Sequence, residues 1–267
     1  MTEIATVSVV LALVLLAVFI LNRSRATRRK VLLSSKLTEQ ERAELLEDFS
    51  LLEHFPSELQ PRLEGLMHLF MDEKSFEACG GVEEVTPRMQ RLIAAQACLL
   101  LVGREGAWLP ALRNILVYPD AFGFDERGVR LGESWSSGTV ILSWASVSAG
   151  AKNAEDGHDV SLHEFAHQLD QENTIGTGLP YLTSRGAYRN WSGVFSQSFE
   201  AFCKRVEKGK KTVLDSYGAT NPAEFFAVAT ETFFEKPKQL QERYPDLYAT
   251  LQSYYHLDPL RWAERTQ

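Results

Sequence analysis

Cysteine is scarce in this chain: there are three among 267 residues, and Cys79, Cys98 and Cys203 stand far apart. An odd number without a C-x-x-C pair supports neither a disulfide framework nor a thiolate zinc site, and it suits a reducing compartment. Internal repeats and low-complexity linkers are also missing between Lys36 and Ala249, which sets repeat architectures aside. The body lacks positive charge. Arg23, Arg25, Arg28, Arg29 and Lys30 against Glu3 give residues 1–30 a net of +4, so the whole-chain −7 leaves −11 for residues 31–267. A body that acidic repels phosphate backbones, and no direct nucleic-acid binding is expected. Histidine is rare too, with six in all, yet His163 and His167 stand four apart with Glu164 directly after the first.

What remains is ordinary globular material, 45% hydrophobic and 24% charged, long enough to bury a sizeable core. The exception is the N-terminus. Ile4 to Leu21 is an eighteen-residue run without charge, glycine or proline. As a helix it spans roughly 27 Å, close to the hydrocarbon thickness of a bilayer. A cleaved signal peptide would place positive charge before the run, whereas here Glu3 precedes it and "NRSRATRRK" follows. The expectation is therefore a single membrane anchor with its basic flank over residues 1–30, followed by one domain over 31–267. The positive-inside tendency places that domain on the cytoplasmic side of a bacterial inner membrane, with a wholly cytosolic protein as the alternative.

In the soluble part, "LTEQERAELLEDFSLLEHF" opens with Thr38 and Glu41 at capping-box spacing and continues with a helical period. "PSELQPRLEGLMHLFMDE" and "TPRMQRLIAAQACLLLVG" read as two more helices, with "KSFEACGG" as a short strand between them. "ALRNILVYPDAFGF" and "GTVILSWASV" are β-branched and aromatic and read as strands of a small sheet. Three helical segments follow: "YRNWSGVFSQSFEAFCKRVEKG", "NPAEFFAVATETFFEKP" and "PDLYATLQSYYHL". Helices, then a modest sheet, then helices indicate an α+β domain.

The chemistry centres on "HDVSLHEFAHQLDQEN". Leu162, Phe165, Ala166 and Leu169 take core-facing positions of a helix that Asp159 can cap. On that helix His163 and His167 share one face, and H-E-x-x-H is a zinc-binding pattern: two imidazoles take the metal, and Glu164 works on water there. A catalytic zinc has three protein ligands and one open position. No H-x-x-G-x-x-H continuation follows His167, so the third must come from elsewhere. In "SYGATNPAEFFAVATETFF", Asn221 caps a helix, Pro222 fits its first position, and Glu224 and Glu231 both qualify. Glu224 has a competing role as the partner in a capping box with Asn221. Asp170 and Glu231 could orient the histidines, or be solvated helix charges. The strand "GTVILSW" could offer an edge to an extended peptide, unless it is interior. His54, His68, His158 and His256 stand at no metal spacing and read as structural.

"HEFAHQLD" with "YGATNPAEFFAVATETFF" resembles the Mlc titration factor A family of zinc peptidases. "FEACGGVEEVTPRMQRLIAAQACLLLVG", "ILVYPDAF" and "VILSWASV" extend the likeness over roughly residues 35 to 260. That family is similar to the catalytic domain of anthrax lethal factor. The resemblance implies a zincin-like, gluzincin-type domain with helices around a small mixed sheet. It implies one Zn²⁺ held by His163, His167 and Glu224, with Glu164 and Tyr217 as catalytic residues. It also implies hydrolysis of peptide bonds, aminopeptidase action included, in a peptide or protein substrate. The family's name points to a second reading: a binding protein that captures an Mlc-like transcription regulator and uses its zinc structurally. A zinc hydrolase of non-peptide amides would use the same residues. The anchor departs from the family, whose best-known members are soluble.

Overall fold

The computed structural model describes the backbone of residues 2–264 apart from 107–108, 126–127 and 173–175, and their side chains except at 2–10, 12, 124–130 and 263–264. A long helix, α1 (Thr2–Leu33), leads into α2 (Glu39–Asp48), a 3-10 turn (Ser50–His54) and α3 (Gln60–Glu73). Strand β1 (Ser75–Ala78) and helix α4 (Pro87–Leu99) follow. The expected capping box forms at α2, where Thr38 accepts from Glu41 N and the Glu41 carboxylate accepts from Thr38 N. Thr86 caps α4, and Pro87 takes its first position, where no amide is needed.

The middle of the chain is β-rich: β2 (Asn114–Tyr118), β3 (Phe122–Asp125), β4 (Gly128–Arg130), β5 (Gly132–Trp135) and β6 (Thr139–Ser143). The main sheet has the order β1-β2-β6-β5, and β3 pairs with β4 in a separate ribbon. β1, β2 and β6 run parallel, while β5 runs antiparallel to β6 and closes the sheet on one side. The mixed sheet of the expected α+β domain is therefore present. Two strand expectations need correction. "GTVILSWASV" stays extended only to Ser143, because that hydroxyl accepts from Ser146 N and starts helix α5 (Trp144–Lys152). The same strand is no edge: β6 has β2 on one side and β5 on the other, so the edges of the sheet are β1 and β5.

Helix α6 (Val160–Gln171), α7 (Arg185–Glu207), a 3-10 turn (Ser216–Ala219), α8 (Pro222–Glu235), α9 (Pro237–Arg243), α10 (Pro245–Tyr255) and α11 (Leu260–Glu264) complete the chain. α8 is buried on every side from Phe225 to Glu235. Phe225 and Phe226 meet Trp191 and Phe195 of α7, and Phe233 and Phe234 meet Tyr255 of α10. Each such ring contributes about 1.5–3 kcal/mol when removed from water, which fixes α8 as the spine against which α6 is held.

The N-terminal helix differs from a simple tether. Its last turns dock on α3: Arg28 pairs with Asp72, Arg29 Nε donates to Glu73 Oε1 at 2.6 Å, and a Cβ on Gly65 would overlap the Leu33 carbonyl. The basic flank thus holds the helix to the domain as well as carrying charge. Every described side chain from Leu11 to Leu21 is exposed. Among the described residues no helix is long and apolar enough to cross a membrane. The side chains of residues 4–10, the first part of the expected anchor, lie outside the described ones.

Candidate metal centre

Asp159 begins α6 as expected, its Oδ1 accepting from Leu162 N at 2.9 Å, while Oδ2 accepts from Gln96 Nε2 at 2.6 Å. The helix turns Phe165, Ala166 and Leu169 into the core and presents His163 and His167 toward the start of α8. There Asn221 caps α8 by accepting from Glu224 N at 3.0 Å. The Glu224 carboxylate does not close a box with Asn221. It turns instead to the histidines: Oε2 lies 3.0 Å from His163 Nε2 and 3.2 Å from His167 Nε2, and the two Nε2 atoms are 3.2 Å apart. These three residues are the group of His, Cys, Asp and Glu that could hold a metal among the described residues.

Glu231, one helical repeat further along α8, meets the other side of the same imidazole. Its Oε1 lies 2.7 Å from His163 Nδ1, and its Oε2 accepts from Asp159 N at 2.8 Å. It is a buried partner of His163, 5% exposed, and not a solvated helix charge. Nδ1–H donating to Glu231 leaves Nε2 of His163 with its lone pair facing the centre. Three lone-pair atoms can then converge on a cation; without one, a proton on His163 or His167 bonds the Glu224 carboxylate instead. A tetrahedral zinc with bonds of about 2.0–2.2 Å separates its donors by about 3.3–3.6 Å, within a few tenths of this triangle. The donors therefore fit the ion.

Burial opposes the charge on Glu224, yet the hydrogen bonds from His163 and His167 hold its carboxyl well below the usual range. Burial likewise acts against a charged His163, but Glu231 and Glu224 outweigh it and raise its pKa well above the ordinary value. These directions belong to the protein groups alone. Glu164 is 6% exposed, and burial raises its pKa, partly offset by the two histidines. Tyr217 follows Asp215, the cap of the 3-10 turn, and its hydroxyl donates to Glu224 Oε1 at 3.2 Å. It is exposed rather than buried.

The remaining acids have other duties. Asp170 accepts from Gly178 N and Leu179 N, both at 2.7 Å, and so pins the loop after α6 instead of orienting a histidine. His158 lies beside Asp215, with Nε2 to Oδ2 at 3.5 Å. His158 N donates to Glu235 Oε2 at 3.0 Å, so Glu231 and Glu235 together hold the backbone that enters α6. Residues not singled out from the sequence are Gln96, Gly132 and Gln168. Gln168 had a readable signal, because it lies four after Glu164 on the same helical face.

Burial pushes Glu235 up to about 9 and Asp159 up to about 7, with Asp156 and Glu231 facing them. A raised carboxyl keeps in the folded state a proton that the unfolded chain has released. Its stabilisation is full below the ordinary pKa of 4.5 for Glu235 and is lost as pH rises through about 9. Glu235→Gln, which keeps an acceptor for His158 N, should flatten the fall in Tm between about pH 5 and 9. At pH 8 it should raise Tm by about 2–4 °C for each kcal/mol recovered. Thermal unfolding across that pH range checks this, and an unchanged slope would contradict it.

Residues 23–256 match the model of the glucose-regulated metallo-peptidase M90 family. An uncharacterized protein of Synechocystis sp. is 41% identical over 223 residues, 77% of this chain and 81% of that protein. Mlc titration factor A of Klebsiella pneumoniae subsp. pneumoniae is 30% identical over 224 residues, covering 78% and 83%. Its namesake in Edwardsiella ictaluri is 32% identical over 194 residues, covering 66% and 72%. With the family model matched over most of its length, and with metal-ready histidines at its centre, the chain belongs to the glucose-regulated metallo-peptidase M90 family.

Proposed function

We propose that this protein is a zinc-dependent peptidase that hydrolyses peptide bonds in an extended substrate, with His163, His167 and Glu224 as ligands of one Zn²⁺. The observation that carries this reading is the triangle of donors at 3.0–3.2 Å, with the Tyr217 hydroxyl on Glu224 and Glu164 on the same helix as the histidines. Zinc bound there supplies Lewis acidity, lowering the pKa of water toward neutrality and polarising a carbonyl. Glu164 accepts the proton of the attacking water and returns it to the leaving amine. Burial favours this, since a raised pKa brings the carboxylate closer to working pH. The Tyr217 hydroxyl, already aimed at the centre, donates to the developing oxyanion.

On the free edge of β5 the amide and carbonyl of Gly132 are suited to main-chain pairing with a peptide, while Ser134 O already accepts from Gln171 Nε2. Outside α1, the exposed large apolar side chains among the described residues are Leu46, Leu131, Trp135, Tyr181 and Tyr217. Leu131 precedes β5 and Trp135 ends it, and Tyr217 stands beside Glu224. The test is a mixed peptide library read by mass, with zinc and after chelation. Cleavage that requires the metal supports the reading, and metal-independent or absent cleavage sinks it. The same library separates removal of N-terminal residues, the aminopeptidase form, from internal cutting.

Glu231→Gln removes the charge behind His163 while keeping its shape. The expected result is a loss of zinc affinity of about 10-fold, the lower end of the range for such partners. Competition with a chromogenic chelator measures it, and an unchanged affinity would remove Glu231 from the centre.

A second reading, capture of an Mlc-like transcription regulator with a mainly structural zinc, draws on the relatives' name, Mlc titration factor A. A set of three ligands among the described residues, rather than four, favours catalysis over it. Membrane attachment through α1 is likewise part of the proposal. Its support is the apolar run Ile4 to Leu21 and the exposure of every described side chain in it.

A further inference from the structure

Strand β5 meets the metal-binding helix at a residue without a side chain. A Cβ on Gly132 would lie 2.5 Å from Oε1 and 2.6 Å from Cγ of Glu164, and 2.7 Å from Cγ2 of Val160. Gly132 is not among the glycines with positive φ, so its backbone conformation is open to any residue. Space, not backbone geometry, requires glycine here. Further along the strand, Gln168 Nε2 donates to Ser134 Oγ at 2.7 Å and to Trp135 O at 3.2 Å. Gln171 Nε2 donates to Ser134 O at 3.3 Å. Glu164 and Gln168 share one face of α6, so the face that bears the acid is fastened to β5 at both ends of the strand.

The pairing also says which way the strand's peptide groups point. Ser143 N donates to Leu131 O at 2.9 Å, so the peptide groups of Leu131, Glu133 and Trp135 are directed at β6. By the antiparallel alternation, those of Gly132 face the open edge. The bare Cα of Gly132 therefore lies directly against Glu164, while its amide and carbonyl face the edge of the sheet.

We propose that Gly132 is the positioning residue for Glu164. Its missing side chain lets the carboxylate stand between α6 and the edge of β5, and the scissile bond of a paired peptide lies opposite it. This rests on the peptidase reading above; the packing beneath it does not. Four proteins test it: wild type, G132A, E164A and the double variant. G132A is expected to retain one zinc per chain, to lose about 100-fold in kcat, as misplacement of a reacting group by about 1 Å does, and to change KM little. G132A should also lower Tm in the wild-type background and by less in E164A, where the colliding atoms of Glu164 are gone and only Val160 is still met. An unchanged kcat, a loss of zinc that accounts for the lost activity, or the same Tm decrement in both backgrounds would overturn the proposal. A wild type that hydrolyses nothing in the presence of zinc overturns the peptidase reading itself. In that event the stability cycle still decides whether Gly132 and Glu164 share the contact.

Discussion

Glu164→Gln is expected to lower kcat by about 10²–10⁴-fold, the usual contribution of a general base, while the protein keeps its fold and one zinc per chain. Glutamine has the shape of glutamate and fits the same space beside Gly132 and Val160. It cannot accept a proton from water at neutral pH, so the attack slows while substrate binding through β5 persists. The direction of the pKa shift adds a second expectation. Burial raises the carboxyl of Glu164, which means that ionising it costs the folded state. A neutral amide escapes that cost, so in the presence of chelator the variant should melt at or above wild type at pH 7. Normal turnover by this variant would remove Glu164 from the reaction. Loss of zinc from it would recast Glu164 as part of the metal's support.

His167→Ala should abolish stoichiometric metal and bring hydrolysis to background. His167 supplies one of three donors, and a tetrahedral ion left with His163 and Glu224 has too few protein ligands to be retained at micromolar concentration. Because the ion binds the folded chain, wild type should be stabilised by zinc, by about 4 kcal/mol when free zinc is at about 1,000 times Kd. Chelation should therefore lower the wild-type Tm by about 2–4 °C per kcal/mol and leave the His167→Ala Tm unmoved. Elemental analysis and paired melts with and without chelator decide it. One tightly held zinc in the variant, or a wild type indifferent to chelation, would refute the assigned ligand set.

Local chemistry made much of the centre legible. Asp159 and Asn221 cap their helices through side-chain oxygens reaching three residues on, and Pro222 needs no amide partner at a first position. The 3.6-residue period puts His163 and His167 on one face whatever the surroundings. Those contacts span a single turn, so neighbouring residues suffice to read them. The choice between Glu224 and Glu231 was not of that kind. Seven residues apart, they lie on nearly the same face of α8, and spacing left both available. The approach of α6 to α8 separates them, because His163 offers Nε2 to one and Nδ1 to the other.

Sheet order was similarly hidden. "GTVILSW" has the β-branched look of any strand, and whether it is an edge depends on β5, whose "GESW" is too short and too poor in β-branched residues to announce itself. Gly132 reads as a turn residue until α6 is packed on it. By itself, then, the sequence determined the two capped helices, the paired histidines with the glutamate between them, and an acidic α+β body. Only tertiary structure decided how Glu224 and Glu231 divide between the two nitrogens of His163, which strands form the edges of the sheet and why β5 carries a glycine. Those outcomes depend on contacts between segments some thirty to seventy residues apart, where no short-range periodicity reaches.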